Sequence, residues 1–359
     1  IASATAEDYS RAIQTVADDP NVHAVIVIFV PPMALRPQTV AAEILKATRE
    51  LNGRMPVLST FMASHGAPEI LSDGQSRIPS YPFPEAAARA LARAAQYGKW
   101  LGTAEGSRPK FADLRREEAA AVVARVLREG ERWLTPEETA EVFDCYGIPL
   151  AKTVSAANPE EAARVAAELG GQIVLKAVAP ELVHKTEAGA VRLGLTGVAE
   201  TQDAAEEMLK QLKSTGVKKA SFILQPMVPS GIEMLVGVTN DPVFGPIIVC
   251  GAGGVLVELV KDVAVRITPL TDHDATEMIR SLKTYPRLNG YRGGPKYDVS
   301  ALEQVVLRVG ALVEDVPEIG ELDLNPVIVL PEGKGVAIVD ARVRVAQAPP
   351  SLPFGAKKR

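Results

Sequence analysis

The sequence predicts an α/β protein in which a parallel-sheet region is followed by a mixed α+β region. Over residues 1–101, short β-branched runs alternate with helical patterns. Strands that are apolar on both faces and separated by helices are typical of a parallel sheet covered on both sides. Beyond Gly102–Asp113, a polar stretch with Gly and Pro that is the best candidate for a linker, helix caps and paired strands follow in a less regular order.

The first region contains two predicted strands and three predicted helices. The strands are Ala24–Val30 and Pro56–Phe61, and the helices are Asp8–Asp18, Gln38–Leu51 and Pro84–Trp100. The series opens on a helix with no strand from which it could cross over, and the first residue is Ile rather than Met. We therefore expect this domain to be N-terminally incomplete, with strands upstream of Ile1.

The second region is punctuated by helix-capping motifs and ends in a predicted hairpin. Thr135-Pro-Glu-Glu138 is a capping box with Pro at the first helical position, and Asn158-Pro-Glu-Glu161 repeats the device. Strands are predicted at Gln172–Val178, Ser221–Met227, Ile232–Thr239 and Pro246–Cys250, and an antiparallel hairpin is predicted from Ile319–Leu330 and Val336–Val345. This mixture indicates an α+β region of two subdomains.

Composition excludes several classes of function. The chain has 359 residues, and its 39 Lys and Arg against 44 Asp and Glu give a net charge of -5, so no basic field attracts nucleic acid. An aromatic content of 5% disfavours stacking platforms for single strands. Two cysteines, Cys145 and Cys250, cannot form a disulfide framework or a four-ligand zinc site. They fit a reducing cytoplasm, and the longest apolar run, Ala24–Val30, is too short for a bilayer. We expect a cytoplasmic protein without nucleic-acid or membrane partners.

Lys176 and Glu233 are charged residues within otherwise apolar predicted strands. Burying either charge is costly unless an opposite charge meets it. Lys176 is therefore a candidate anion ligand, and Glu233 a candidate partner for a cation, metal or hydroxyl. The alternative for each is an edge strand from which the side chain reaches water. Between them, Pro226 limits ladder pairing, which would leave backbone groups near Gln225 and Met227 free for a ligand.

Two glycine-containing stretches and an arginine are candidates for binding phosphate. His184 lies in Pro180–Ala190, which has the character of a mobile basic loop, although a lone loop histidine is also commonly incidental. Gly251-Ala-Gly253-Gly254 fits neither the Walker nor the dinucleotide pattern. It offers exposed amides to an anion, or is simply a turn. Arg266 is a candidate clamp for phosphate or carboxylate, or a surface residue.

Asp323, Asn325 and Asp340 form the strongest local group. Asp323 and Asn325 are two positions apart on a strand, so their side chains share one face. Folding the hairpin about Gly333 places residue 340 opposite residue 326, beside Asn325. Two carboxylates and an amide suit a hard cation that also keeps waters and phosphate oxygens. The alternative is a set of structural Asp and Asn residues at strand ends.

The order of these motifs resembles that of an ATP-grasp domain. More narrowly, the chain is similar to the NDP-forming acyl-CoA synthetases, also called ADP-forming acetate–CoA ligases, which are related to succinyl-CoA synthetase. The resemblance rests on Val174–Pro180, His184–Leu193, Asn240–Pro246, Gly251–Glu258 and Glu321–Pro326. Residues 1–101 resemble the later part of that family's flavodoxin-like ligase domain.

The resemblance implies a domain plan and a reaction. A partial flavodoxin-like domain would span residues 1–101, a linker 102–113, an ATP-grasp domain of two subdomains 114–347, and a tail 348–359. The family's reaction is acid + CoA + ATP = acyl-CoA + ADP + phosphate, in which phosphoryl passes between ATP/ADP and a phosphohistidine. The CoA-binding and primary phosphohistidine domains would lie upstream, in the same gene or in a separate subunit. This portion is expected to bind ATP/ADP and Mg²⁺, to form an oligomer, and to make no acyl-CoA alone.

The resemblance also implies roles for individual residues. Lys176 would hold nucleotide phosphates, Gln225 and Met227 would border the adenine, and Glu233 would be an acid of the ATP site. Residues at the phosphates would be Gly251, Gly253, Gly254 and Arg266. Asn325 and Asp340 would hold Mg²⁺ with Asp323 as a ligand or close beside it, and His184 would relay phosphate on a swinging loop.

Two other functions are compatible with the sequence. One is a non-catalytic, synthetase-like module that senses ligands, as in some protein acetyltransferases. Against it, the residues of the site are all present and no acetyltransferase segment follows. The other is a different ATP-grasp carboxylate–amine ligase, which the His-Lys loop and the flavodoxin-like segment disfavour.

Overall fold

A computed structural model describes the chain except for residues 1–3, 32–34, 64, 73–76, 104, 180–189, 215, 218–219, 255–261 and 349–359. The polypeptide divides into two compact units, Ile1–Ala104 and Glu105–Arg359. No helix in the described ranges is long and apolar enough to cross a membrane.

The first unit contains a parallel sheet, as the sequence predicts. Its elements are α1 (Ala6–Ala17), β1 (Val25–Phe29), α2 (Pro37–Glu50), β2 (Val57–Phe61), β3 (Ser80–Tyr81) and α3 (Pro84–Leu101). The strands run parallel in the order β1-β2-β3. Phe29 and Phe61 are paired across β1 and β2 with ring centroids 5.2 Å apart, and α2 buries Ile44 in the same core.

The second unit contains two antiparallel sheets with separate hydrophobic cores, which confirms the predicted α+β region of two subdomains. The smaller sheet has the order β5-β8-β6-β7. Its strands are β5 (Val154–Ala156), β6 (Gln172–Val178), β7 (Val191–Thr196) and β8 (Ser221–Pro226), and its helices are α6 (Pro159–Leu169) and α7 (Gly197–Ser214). Both helices contribute to the core beneath this sheet, for example through Ala162 and Met208.

The larger sheet has the order β11-β10-β9-β12-β14-β4, with β13 paired to β12. Its strands are β4 (Arg132–Trp133), β9 (Ile232–Asp241), β10 (Gly245–Ala252), β11 (Val263–Ile267), β12 (Ile319–Val329), β13 (Val336–Ile338) and β14 (Ala341–Val345). The helices of this part are α4 (Arg116–Leu127), α5 (Pro136–Cys145), α8 (Asp272–Arg280), α9 (Tyr285–Leu288) and α10 (Val299–Asp315). The predicted hairpin is confirmed, because β12 pairs antiparallel with β13 and β14.

The predicted helix caps form as the sequence indicates. The Thr135 hydroxyl accepts a hydrogen bond from Glu138 N (3.2 Å), and the Glu138 carboxylate accepts one from Thr135 N (2.8 Å). Asn158 Oδ1 accepts from Glu161 N at 2.8 Å. These bonds satisfy amides at the first turns of α5 and α6 that have no partner within the helix. The caps therefore fix where both helices begin.

Candidate functional site

A cavity lies between the smaller sheet and the end of the β12–β14 hairpin. We call it the inter-sheet cavity. The small sheet contributes a lysine, a glutamine and an isoleucine, and the remaining lining comes from α5, the segment before β5 and the turn into β14. The lining residues are Pro136, Thr139, Leu150, Thr153, Lys176, Ile223, Gln225, Val339, Asp340 and Ala341.

Lys176 is buried in the interior of the smaller sheet. Strand β6 lies between β8 and β7, and Lys176 is paired with Ile223 on one side and Val191 on the other. The side chain is 9% exposed, and its Nζ donates a hydrogen bond to Val339 O at 2.6 Å. The edge-strand alternative is therefore wrong for Lys176. Its ammonium group reaches across the cavity to the larger sheet, where a cation can meet an anionic ligand.

Gln225 is the penultimate residue of strand β8 and is 5% exposed. Its Nε2 donates to Thr153 Oγ1 at 3.2 Å. The expectation of free backbone groups here is wrong for Met227, because Met227 N donates to Gln172 O at 2.8 Å. Pro226 is the last residue of β8, which lies between β5 and β6. Because Pro226 is paired with Ile173, the pairing of β8 with β6 continues to the end of β8. Met227 itself is 41% exposed beside this turn.

The β12–β14 hairpin brings together Asp323, Asn325 and Asp340. The strand register of this hairpin differs by one residue from the predicted register. Leu324 is paired with Ala341, and Asn325 N donates to Asp340 O at 3.2 Å, so residue 340 lies opposite 325 and not 326. Leu322 and Leu324 are buried, whereas Asp323 and Asn325 lie on the other face of β12. The shared face predicted from the spacing is confirmed.

The electrostatics of this group favour a cation. Surrounding protein displaces water from the Asp323 carboxyl and raises its pKa, and the negative charges of Asp340 and Glu321 raise it further against the opposing effect of Arg342. A carboxylate whose pKa is raised by desolvation and by neighbouring negative charges is stabilised in its ionised form when a positive ion lies beside it. Among the described residues, no three His, Cys, Asp or Glu side chains are placed to bind a metal together. Two carboxylates and the Asn325 amide are oxygen donors of the kind that a hard cation prefers.

Glu233 and the glycine turn are direct neighbours. Glu233 is exposed on β9, and its backbone oxygen accepts from Gly253 N at 2.9 Å. Gly254 has a φ of +68°, and a Cβ there would overlap Glu233 Oε2. A Cβ on Gly253 would lie 2.7 Å from the backbone of Met234. Only glycine lets the chain lie this close to β9. Gly251 belongs to β10 and is paired with both Leu235 and Val263.

Of the twelve predicted site residues, three line the inter-sheet cavity in the part of the chain that the structure describes, and they are Lys176, Gln225 and Asp340. Arg266 lies on β11, and its Nη2 forms an ion pair with Glu277 on α8 at 3.0 Å. His184 lies outside the described residues. In contrast, Thr153 and Val339 line the cavity although no sequence motif marks either one. They are brought to it by contacts between segments that are distant along the chain.

The chain is similar to known proteins over most of its length. Residues 125–345 match the family described as ATP-grasp domain. The 4-hydroxybutyrate–CoA ligase (ADP-forming) of Nitrosopumilus maritimus is 35% identical over 340 residues, which are 93% of this chain and 48% of that protein. The chain thus spans about half the length of this relative.

Two further comparisons cover all or nearly all of shorter proteins. The beta subunit of acetate–CoA ligase (ADP-forming) I of Pyrococcus furiosus is 36% identical over 227 residues, which are 63% of this chain and 97% of that subunit. A solved structure of acetyl-coenzyme A synthetase 1 from Ca. Korarchaeum cryptofilum superimposes with a TM-score of 0.55 at 34% identity. The match covers 64% of this chain and 100% of that one. That structure is a complex with coenzyme A and Mg-AMPPCP, with its phosphohistidine segment pointing towards the nucleotide-binding site.

Proposed function

The chain belongs to the ATP-grasp family and, within it, to the ADP-forming acetate–CoA ligases, and from this premise we propose that it is the nucleotide-binding portion of an ADP-forming acyl-CoA synthetase. It transfers phosphoryl between ATP/ADP and a phosphohistidine during acid + CoA + ATP = acyl-CoA + ADP + phosphate. The observation that carries the proposal is the inter-sheet cavity. There a buried lysine and a glutamine of one sheet face an aspartate on the hairpin of the other.

Each group has a role in holding the nucleotide. Lys176 places a positive charge against the phosphates, and Gln225 and Met227 border the base. Glu233 and the turn containing Gly251, Gly253 and Gly254 flank the phosphate end. Because phosphoryl transfer needs little covalent help from the protein, catalysis here consists mainly of positioning and charge neutralisation.

The hairpin provides the metal site of this proposal. Asp323, Asn325 and Asp340 would hold Mg²⁺, and the bound ion would supply positive charge to neutralise the phosphate oxygens. Arg266 reaches a phosphate only if the anion competes with Glu277 for its guanidinium group. The ligands are oxygen atoms, as a hard cation prefers.

The rest of the reaction depends on a second half. Since the chain spans about half of a single-chain relative and matches a whole beta subunit, we propose that CoA binding and the primary phosphohistidine come from another part of the polypeptide or from a separate subunit. The assembly is an oligomer and works in the cytoplasm. His184 then carries phosphate between the two sites, since a neutral imidazole is a competent nucleophile near pH 7.

Phosphohistidine labelling tests this proposal. The chain is incubated with Mg·[γ-³²P]ATP and the CoA-binding half of a related ligase, and acid-labile label on the chain is measured. We expect label on wild type and its loss in His184→Ala, with His273→Ala, a histidine on α8, as the matched control. Unchanged labelling of His184→Ala would reject the relay. Failure of wild type to bind Mg·ADP in a calorimetric titration would reject the nucleotide site itself.

A further inference from the structure

A short chain of hydrogen bonds fixes the side-chain amide of Gln225. Gln225 Nε2 donates to Thr153 Oγ1 at 3.2 Å, and Thr153 Oγ1 donates to Ala151 O at 2.9 Å. A threonine hydroxyl has one proton and two lone pairs. Because that proton is given to Ala151 O, Oγ1 can only accept from Gln225. The Thr153 hydroxyl therefore selects the NH₂ end of the amide.

This selection leaves Gln225 Oε1 as the acceptor available to a ligand. Gln225 and Thr153 both line the inter-sheet cavity, and within the described part of the chain Oε1 accepts no hydrogen bond from protein. Turning the amide over would bring Oε1 against an oxygen whose proton is already used. This rotation of the Gln225 amide would require Thr153 to give up its hydrogen bond to Ala151 O, so the observed orientation is favoured.

We infer that Thr153 is a positioning residue that makes the site prefer a 6-aminopurine nucleotide to a 6-oxopurine nucleotide. The inference rests on the proposed function, since it concerns the base of the nucleotide bound in the same cavity. The exocyclic amino group of adenine donates a hydrogen bond to Gln225 Oε1. Hypoxanthine and guanine carry an acceptor oxygen at that position, which would face a second acceptor in a buried site.

Binding of ADP and IDP tests this preference, because the two nucleotides differ only at purine positions 6 and 1. Dissociation constants are measured by calorimetry with saturating Mg²⁺ for wild type, Thr153→Val and Gln225→Glu. Wild type is expected to bind ADP about tenfold more tightly than IDP, the value of roughly one hydrogen bond. Thr153→Val frees the amide to turn over, and the ratio should fall towards one. Gln225→Glu replaces the NH₂ group that Thr153 Oγ1 accepts from with a second acceptor, so Thr153 has to turn its proton away from Ala151 O. Both nucleotides should then bind more weakly, while the oxygen that faces the ligand should keep the preference for ADP.

The outcomes separate the inference from the proposed function. Thr48→Val is the matched control, because the Thr48 hydroxyl donates to Ile44 O at 2.8 Å within α2 and does not line the cavity. Circular dichroism confirms that each variant is folded. Equal binding of ADP and IDP by wild type, or an unchanged ratio in Thr153→Val, would overturn the inference and leave the nucleotide site standing. Binding of neither nucleotide by wild type would overturn both.

Discussion

Replacing Lys176 with methionine should weaken nucleotide binding far more than folding. Methionine keeps much of the aliphatic length in the interior strand but removes the ammonium group that faces the cavity. A hydrogen bond to a charged group contributes about 1.5–3 kcal/mol, which corresponds to about 10- to 150-fold in a dissociation constant. The folded state of the variant also loses the hydrogen bond from Lys176 Nζ to Val339 O. Val339 is only partly buried, so water can replace the donor, and the expected loss of unfolding free energy is about 1 kcal/mol.

The assay is a calorimetric titration of Mg·ADP, paired with urea unfolding of the same preparations. Lys213→Met is the matched control. Lys213 is exposed on α7, and its replacement by methionine removes the same charge from the same subdomain. The control should bind within about twofold of wild type, because screened surface charges contribute little. A folded Lys176→Met protein with the wild-type dissociation constant would refute the assignment of Lys176 to the phosphates.

Two further substitutions probe the turn and the hairpin. Gly254→Ala should cost about 1–3 kcal/mol of unfolding free energy, because the φ is positive, and should weaken Mg·ADP binding, because the methyl group displaces the exposed Glu233 carboxylate. Gly53→Ala, with a φ of +76° and open space around it, is the matched control: it should lose a similar free energy of unfolding and bind Mg·ADP as wild type does, and equal binding by both variants would contradict the role of the turn. Asp323→Asn should raise the unfolding temperature of the nucleotide-free protein at pH 7, because a raised native pKa means that the ionised carboxylate costs stability above that pKa. The gain should disappear once the pH falls below the ordinary pKa of aspartate, and a loss of stability at pH 7 would contradict the reasoning.

Local patterns predicted the parts of the fold that depend on local physics. The Thr135 capping box sets the start of α5 because its bonds close within one turn. The alternation at Asp323 and Asn325 places both on one face because strand side chains alternate with a period of two. The hairpin register was predicted one residue away from the observed pairing, since a turn centre read from Gly333 alone does not fix which residues are opposed.

Tertiary contacts decided the rest. Nothing near Thr153 or Val339 in the sequence marks them as cavity residues. Their bonds to Gln225 and Lys176 join segments 72 and 163 positions apart. No strand is predicted at β11, which the structure shows as a short strand at the edge of the larger sheet with Val263 and Val265 exposed. Such features depend on how the sheets meet, which a residue pattern does not contain.

The β12–β14 hairpin also bears on when the site can form during folding. Asn325 and Asp340 meet within one hairpin, so their approach closes only a short loop and carries a small entropic cost. The bond from Lys176 to Val339 requires two sheets to be complete and docked, and contacts of such long range form slowly. The oxygen donors of the proposed metal site are thus assembled by a local folding event, whereas the inter-sheet cavity exists only once the subdomains have joined.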